Sequence, residues 1–195
     1  MDEAPGLRER KLLAAMHRIQ DAALDLFDAH GYAAVTVEQI AAASEVSPSS
    51  VYRYFGTKER ILLWDEYDPL IVEHLVEELG DASPLAAARR VMLKLMAEVL
   101  GQDEPFLRRR MRHLMSDAAL EAEMARQVQA TSELVGKVVA ARLGRPHEDL
   151  EIQVFSHAVV GGLLGGLHHW HGTGFREPLL RVLERSFDLL ETGLR

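Results

Sequence analysis

The chain is predicted to be all helix, about nine helices arranged as a three-helix amino-terminal unit and a larger bundle. Three observations lead there. Apolar residues recur at the three- and four-residue spacing of a helix face and nowhere alternate with period two. Ser, Thr, Asp, Pro and Gly punctuate the chain at regular helix starts and stops. Of its 195 residues 48% are hydrophobic but only 6% aromatic, enough for a real core packed from aliphatic side chains.

The first helix spans residues 7–30. Leu12, Met16, Ile19, Ala23 and Phe27 form its apolar stripe, and Gly31 ends it. Arg8, Arg10 and Lys11 at its start read as a solvated helix end, the alternative being an arm that touches phosphate. Thr36 with Gln39 makes a capping box, so a second helix runs to about Ser44. Ser47 and Pro48 repeat the signal: serine accepts from a free first-turn amide and proline loses no needed donor, which starts a helix to about Tyr54. Only Glu45, Val46 and Ser47 lie between these two helices, so they must cross steeply, as in a helix-turn-helix. Ile40, Ala41, Val46, Val51 and Tyr54 fill its inner face. Ser49, Ser50, Tyr52 and Arg53 occupy the outer one, which a major groove could see.

Phe27, Gly31, Thr36, Ile40, Ala41, Val46, Ser47, Val51, Tyr52, Tyr54, Phe55 and Lys58 resemble the amino-terminal signature of the TetR (tetracycline repressor-like) family of bacterial transcriptional regulators. The YRYF and TKE segments follow the helix-turn-helix at the family's spacing, and the match covers about the first third of the chain. One departure stands out. Glu45 occupies a position where such turns often need glycine, so either it adopts φ above zero at a cost or the turn is built differently. The resemblance implies a DNA-binding unit over residues 1–60 and a helical effector-binding and dimerisation unit over 61–195. It implies contact with duplex DNA through Thr36, Ser47, Pro48, Ser49, Ser50, Tyr52, Arg53, Tyr54 and Lys58. Ser49, Ser50 and Tyr52 would face bases or phosphates, and Thr36, Tyr54 and Lys58 would fix position on the backbone.

Thr57 caps the next helix, expected to reach Leu79 with a kink or short break near Asp65 to Pro69, where proline removes a hydrogen bond. The kink is either inert or a joint between the two units. Ser83 and Pro84 start a helix to about Leu100, Gly101 to Pro105 turn, and Phe106 to Met115 form a short helix. Further helices run from about Asp117 to Leu143, Glu148 to about His171 and about Pro178 to Leu194. Methionines crowd the middle helices, and such surroundings suit an adaptable apolar cavity, although each residue alone also suits plain core. The expected pocket comprises Trp64, Tyr67, Ile71, Met92, Met96, Phe106, Met111, Met115, Met124 and Phe155, holding a small, largely apolar effector. WDEYDPL after TKERILL is similar to a branch of the family assigned acyl-CoA-like ligands.

Within AVVGGLLGGL, Gly161 with Gly165 and Gly162 with Gly166 lie four apart, each pair on one helix face. Glycine weakens a helix by roughly 1 kcal/mol per residue, which close packing must offset. Leu179, Leu183, Phe187, Leu190 and Leu194 form a matching stripe on the last helix. The family builds its homodimer from these two helices, so the glycines with Leu179, Leu183, Phe187 and Leu190 are the expected interface; the alternative is packing within one subunit.

Composition bounds the rest. Cysteine is absent, excluding disulfides and thiolate metal sites and suiting the reducing cytoplasm. The net charge is −8, and residues 1–60 carry 7 Lys and Arg against 9 Asp and Glu, so DNA affinity must come from local placement of cations and helix-terminal amides. No signal peptide is visible, and no membrane span is expected, since Ala158 to Leu167 is about half the length a bilayer needs. No metal is expected: His168, His169 and His171 around Trp170 read as spare histidines at a helix end. Arg108, Arg109, Arg110, Arg112 and His113 read first as a solvated face and second as a seat for an acidic ligand group. No nucleophile elbow, HExxH or phosphate-cradling glycine loop is present, so no catalytic residue, cofactor or enzymatic role is assigned. The leading expectation is a ligand-responsive regulator acting as a repressor. A helical architectural or constitutive DNA-binding factor without an effector is the alternative, and a carrier with a merely structural helix-turn-helix a third.

Overall fold

A computed structural model of the chain describes residues 6–65, 68–80 and 82–194. The described residues form nine α-helices: α1 (Leu7–His30), α2 (Val37–Ala43), α3 (Pro48–Phe55), α4 (Lys58–Leu63), α5 (Asp68–Glu78), α6 (Pro84–Leu114), α7 (Ala118–Leu143), α8 (Leu150–Gly172) and α9 (Leu179–Thr192). A single 3₁₀ turn, Tyr32–Ala34, follows α1 and has no counterpart in the sequence reading.

The stripe on α1 buries Ile19, Ala23 and Phe27 against α2 to α4, whereas Leu12 at its outer end stays 40% exposed. The capping box of α2 is complete: the Thr36 amide donates to Gln39 Oε1 at 2.8 Å and the Gln39 amide to Thr36 Oγ1 at 3.3 Å. After α2 the chain reverses in a Schellman motif, with Val46 N–H donating to Ala41 O (3.0 Å) and Glu45 N–H to Ala42 O (3.3 Å). Glu45 therefore sits at φ 57°, the left-handed conformation that α7 gives to Gly144 in the same motif. The turn is the ordinary one, and an exposed glutamate bears its strain. Left-handed geometry costs an L-residue about 1–2 kcal/mol, and glycine's extra unfolded freedom returns roughly 0.5–1 kcal/mol of that. Glu45→Gly is thus expected to raise stability by about 0.5–1 kcal/mol, measurable as a higher urea midpoint at unchanged slope.

Of the kink or short break expected near Asp65 to Pro69 the structure has the break, which makes two helices of the span from Thr57 to Leu79. α4 stops at Leu63, Trp64 is extended, and α5 begins at Asp68 with proline as its second residue, where a missing amide costs nothing. The carbonyls left free at this break are met from α1: buried Gln20 donates through Nε2 to Ile61 O (2.8 Å) and Trp64 O (2.9 Å). The expected turn at Gly101 to Pro105 contracts to one residue inside α6. Asp103 leaves helical geometry (φ −155°, ψ 76°) and its carboxylate accepts from the Phe106 amide at 2.9 Å, capping the second half so that the two expected helices abut.

Two apolar cores result. One runs from α1 to α4 into Leu107, Met111 and Leu114 of α6, Leu120 and Met124 of α7, Trp170 of α8 and the start of α9. The other joins Leu75 of α5 and Leu79 just after it to Val91 and Leu95 of α6, Val135 and Val139 of α7 and Ile152 of α8. The first core crosses residue 60 without a seam, since Ile61 and Leu62 are fully buried within it. Polar contacts reinforce the crossing. Arg109 Nη2 meets Asp25 at 2.6 Å, Arg109 Nε and His113 both meet Asp28, and Arg60 Nε meets Glu123 at 3.0 Å. Burial pushes the Asp28 carboxyl up, but hydrogen bonds from His113 and Arg109 outweigh it and hold the group below its ordinary range. Hydrogen bonds from Arg60 and then Arg126 hold Glu123 below its range in the same way.

Candidate nucleic-acid interface and internal cavity

Ser47 Oγ accepts from the Ser50 amide at 3.2 Å and lies 2.9 Å from both Ser49 Oγ and Ser50 Oγ, so the start of α3 is a cluster of hydroxyls around a capped helix end. Val51 and Phe55 anchor the helix from beneath. Ser47, Pro48, Ser49, Tyr52 and Arg53 are left exposed, with Ser50 and Tyr54 half-buried. Tyr52 is 50% exposed, and its side chain makes no hydrogen bond or ring contact among the described residues. Arg53 folds over its own helix, donating to Ser50 Oγ (3.2 Å) and Tyr54 Oη (3.0 Å). Beside it, Gly6, Arg8, Lys11 and Leu12 of the α1 start complete one broad groove with Arg53 and Tyr54. Three cations line this groove, and they supply locally the positive charge that the composition denies overall.

Lys58 behaves differently from its expected role. Its ammonium donates to Tyr32 O (2.9 Å) and Val35 O (3.0 Å) and lies 3.9 Å from the centre of the Tyr32 ring. Tyr32 in turn donates its hydroxyl to Glu59 at 2.7 Å. Burial and the Glu59 hydrogen bond push the Tyr32 hydroxyl far above its ordinary range; at Glu59 burial works upward, yet the bond from Tyr32 leads the effects that hold it low. Lys58 thus closes the corner that carries Thr36, a positioning contact that the sequence pattern could not separate from a phosphate contact.

An apolar cavity of about 220 Å³ lies between α4 to α8. Of the expected pocket, Ile71, Met92, Met111 and Met124 stand on its wall, joined by Leu63, Val160, Leu163 and Leu167. Trp64 and Phe106 line a second, more polar cavity of about 320 Å³ against α1, with His17, Asp21, Asp65 and Asp103. Met96 and Met115 pack into the first core and Phe155 against the second, and Tyr67 lies outside the described residues. The arginine cluster divides as well. Arg108 is paired with Glu104 (2.5 Å), Arg109 with Asp25 and Asp28, and Arg112 is exposed. Arg110 alone among them borders both cavities. Its register, one residue on from Arg109, turns it inward, which the run of like charges concealed. Of the histidines, His168 bonds Leu164 O at 3.1 Å, His169 faces Glu177 and His171 packs on Phe175.

The glycine pairs of α8 separate by face. A side chain at Gly166 would meet Ser186 Oγ at 2.7 Å and one at Gly162 would meet Leu190 at 3.1 Å, so this pair seats α9 within the chain. Gly161 and Gly165 face open space. Leu179, Leu183 and Phe187, expected at a dimer interface, are each 1% exposed and belong to the chain's own core, because they point to the side of α9 that α8 covers. Leu190 stays partly exposed and borders a groove with Leu189, Gly165 and Gly166, while Leu150 (75% exposed) and Val154 (59%) extend the open face of α8. This helix, 23 residues long, is apolar enough to cross a bilayer by length and composition, which the uninterrupted run alone had argued against. Its buried residues Ile152, Val159 and Trp170 pack within the chain, and its open apolar face runs along Leu150, Val154, Gly161 and Gly165.

Residues 82–195 match the family model described as the MftR C-terminal domain, and residues 19–63 the one described as bacterial regulatory proteins, tetR family. A Mycobacterium tuberculosis protein named as a mycofactocin biosynthesis transcriptional regulator, MftR, is 27% identical over 191 residues, covering 95% of this chain and 93% of that protein. The HTH-type transcriptional regulator TcmR of Streptomyces glaucescens is 34% identical over 152 residues, 74% of this chain and 67% of that protein. Among solved structures, FadR of Thermus thermophilus, a TetR-family repressor in complex with lauroyl-CoA, shares the fold with a TM-score of 0.55 at 21% identity, over 92% of this chain and 95% of that one. With the helix-turn-helix and the helical bundle both matched, the chain belongs to the TetR family of bacterial transcriptional regulators.

Proposed function

We propose that the chain works as a cytoplasmic homodimeric repressor that leaves a palindromic operator when a small, largely apolar molecule enters the cavity between α4 to α8. Residues 1–60 would hold the DNA and residues 61–195 the ligand and the partner subunit. The observation that carries the reading is α3: a capped helix whose outer face of Ser49, Tyr52 and Arg53 is open beside a groove of Arg8 and Lys11. The apolar cavity favours this reading over a constitutive architectural factor, which would have no use for it. Lauroyl-CoA in the Thermus FadR structure supports an acyl chain as the first ligand to try. We assign the chain no enzymatic reaction.

The two copies of α3 can dock in successive major grooves only at a spacing near one helical turn, roughly 34 Å. A ligand that moves them apart must bind the DNA-incompatible state more tightly, and operator DNA must then weaken ligand binding by the same factor. Selection from a random duplex pool is expected to return an inverted repeat bound with steep salt dependence. Titrating dodecanoyl-CoA into that complex is expected to release the DNA. Selection of no duplex would remove the DNA-binding reading; ligand binding that leaves operator affinity unchanged would remove the coupling.

A further inference from the structure

The acidic seat expected at Arg108, Arg109 or Arg112 is taken up elsewhere: two of these are committed to carboxylates and the third faces solvent. Arg110 is different. Its side chain is 13% exposed, and it is the one charged residue on the wall of the 220 Å³ apolar cavity among the described residues. A guanidinium has five N–H donors. Arg110 places Nη2 2.8 Å from Asp65 Oδ2 and Nη1 3.4 Å from Trp64 O, while Nε is buried with no hydrogen-bond partner among the described residues. Arg108 and Arg109, by contrast, both use the Nε edge on carboxylates. A buried donor without a partner is costly, so Arg110 is a fork with one tine unoccupied.

We infer that Arg110 receives the acidic group of an amphipathic ligand whose apolar body fills this cavity, and that it does so in exchange for its ion pair with Asp65 beyond the end of α4. This rests on the proposed ligand-binding role of the cavity and names the chemical class it takes: a compact anion, such as a carboxylate, joined directly to an apolar chain. The two cavities that Arg110 borders are not equivalent for an anion. The one against α1 carries Asp21, Asp65 and Asp103, which repel it; the apolar one has no acidic side chain on its wall. Burial leads the causes that raise the Asp21 carboxyl, and Asp25 and Asp103 add to them, as expected of an acid-crowded space. Methionines 92, 111 and 124 line the apolar side and can repack around a chain longer than the present volume admits.

The exchange would carry a signal because of where Asp65 lies. Trp64 and Asp65 follow α4 directly, and α4 packs on α1 and α3. Drawing Arg110 off Asp65 and Trp64 O removes two contacts that fix this segment beside those from Gln20. A ligand that competes with Asp65 therefore loosens the end of the unit that presents α3, and a neutral ligand of the same shape does not.

The test compares dodecanoate with dodecanol, by calorimetry on the full chain, for the native protein and for Arg110→Gln and Asp65→Asn. The native protein is expected to prefer dodecanoate by roughly tenfold or more, the range of a charge-assisted hydrogen bond. Arg110→Gln is expected to bind both alike, and Asp65→Asn to bind dodecanoate several-fold more tightly with dodecanol unchanged. Circular dichroism melts identify a variant that does not fold, and the Asp65→Asn comparison still decides the matter if Arg110→Gln is lost. Equal binding of the two probes by the native protein, or a preference kept in Arg110→Gln, overturns the inference while leaving an apolar ligand site intact. Binding of neither probe overturns the inference, and the dodecanoyl-CoA titration then decides the ligand-binding role of the cavity on its own.

Discussion

Tyr52→Ala is expected to lower operator affinity by about thirtyfold or more, since loss of a direct contact costs about 1–3 kcal/mol and a dimer loses two. The same substitution should leave the melting temperature nearly unchanged. Tyr52 is half-exposed, contributes nothing to either core, and sits on a helix held by Val51 and Phe55 beneath it. Anisotropy with a fluorescent duplex at several salt concentrations measures both the loss and its origin: a base contact lowers affinity at constant salt slope, whereas a phosphate contact reduces the slope as well. Lys58→Ala is the instructive contrast. Because its ammonium serves the carbonyls of Tyr32 and Val35, its removal should lower stability along with DNA binding. Unchanged affinity in Tyr52→Ala would move the recognition surface off the outer face of α3.

The second large effect is expected from adjacent glycines on α8. Gly166→Leu should destabilise the fold by about 3 kcal/mol or more, the upper range for overpacking, because its first side-chain carbon would already press on Ser186 Oγ, beside Val182 and Leu183 of α9. The first side-chain carbon added at Gly165 meets nothing within 4 Å and opens onto the groove beside α9, so the melting behaviour of Gly165→Leu as a monomer should be close to native. Its effect should be on assembly: if the open face of α8 with Leu189 and Leu190 of α9 holds the partner, a leucine there separates the subunits and operator binding goes with them. Sedimentation reads the two outcomes apart. A Gly165→Leu protein that remains a dimer would place the interface elsewhere, and a fully stable Gly166→Leu would show that α9 can withdraw from α8 without cost. Gly162→Leu falls between, since the Leu190 side chain it would meet is flexible.

Local chemistry was legible in the sequence wherever a residue acts on its own neighbours in the chain. The capping box at Thr36, the Ser47 and Pro48 start of α3 and the end of α7 at Leu143 each depend on contacts within about four residues, and each stands where the sequence places it. The outer face of α3 was legible for the same reason: on a short helix between fixed caps, periodicity alone decides which side chains point away from the core. Glu45 was legible as a conflict, and the tertiary crossing of α2 and α3 resolved it by imposing the left-handed turn that the residue itself disfavours.

What only the tertiary structure decided are the roles that depend on a neighbour far along the chain. Gln20 has nothing in its own stretch of chain to mark it, yet it meets the carbonyls of Ile61 and Trp64, some forty positions away. Lys58 reads as a phosphate contact until Tyr32 and Val35 arrive beside it. In the run of arginines on α6, charge and spacing are the same for each member, and only the packing of α1 on one side and the cavity on the other sends Arg109 to Asp25 and Asp28 and Arg110 inward. The two glycine pairs of α8 are equivalent as a sequence pattern, since four-residue spacing fixes that each pair shares a face but not which face; α9 settles it by covering one pair, and the other is left to the outside.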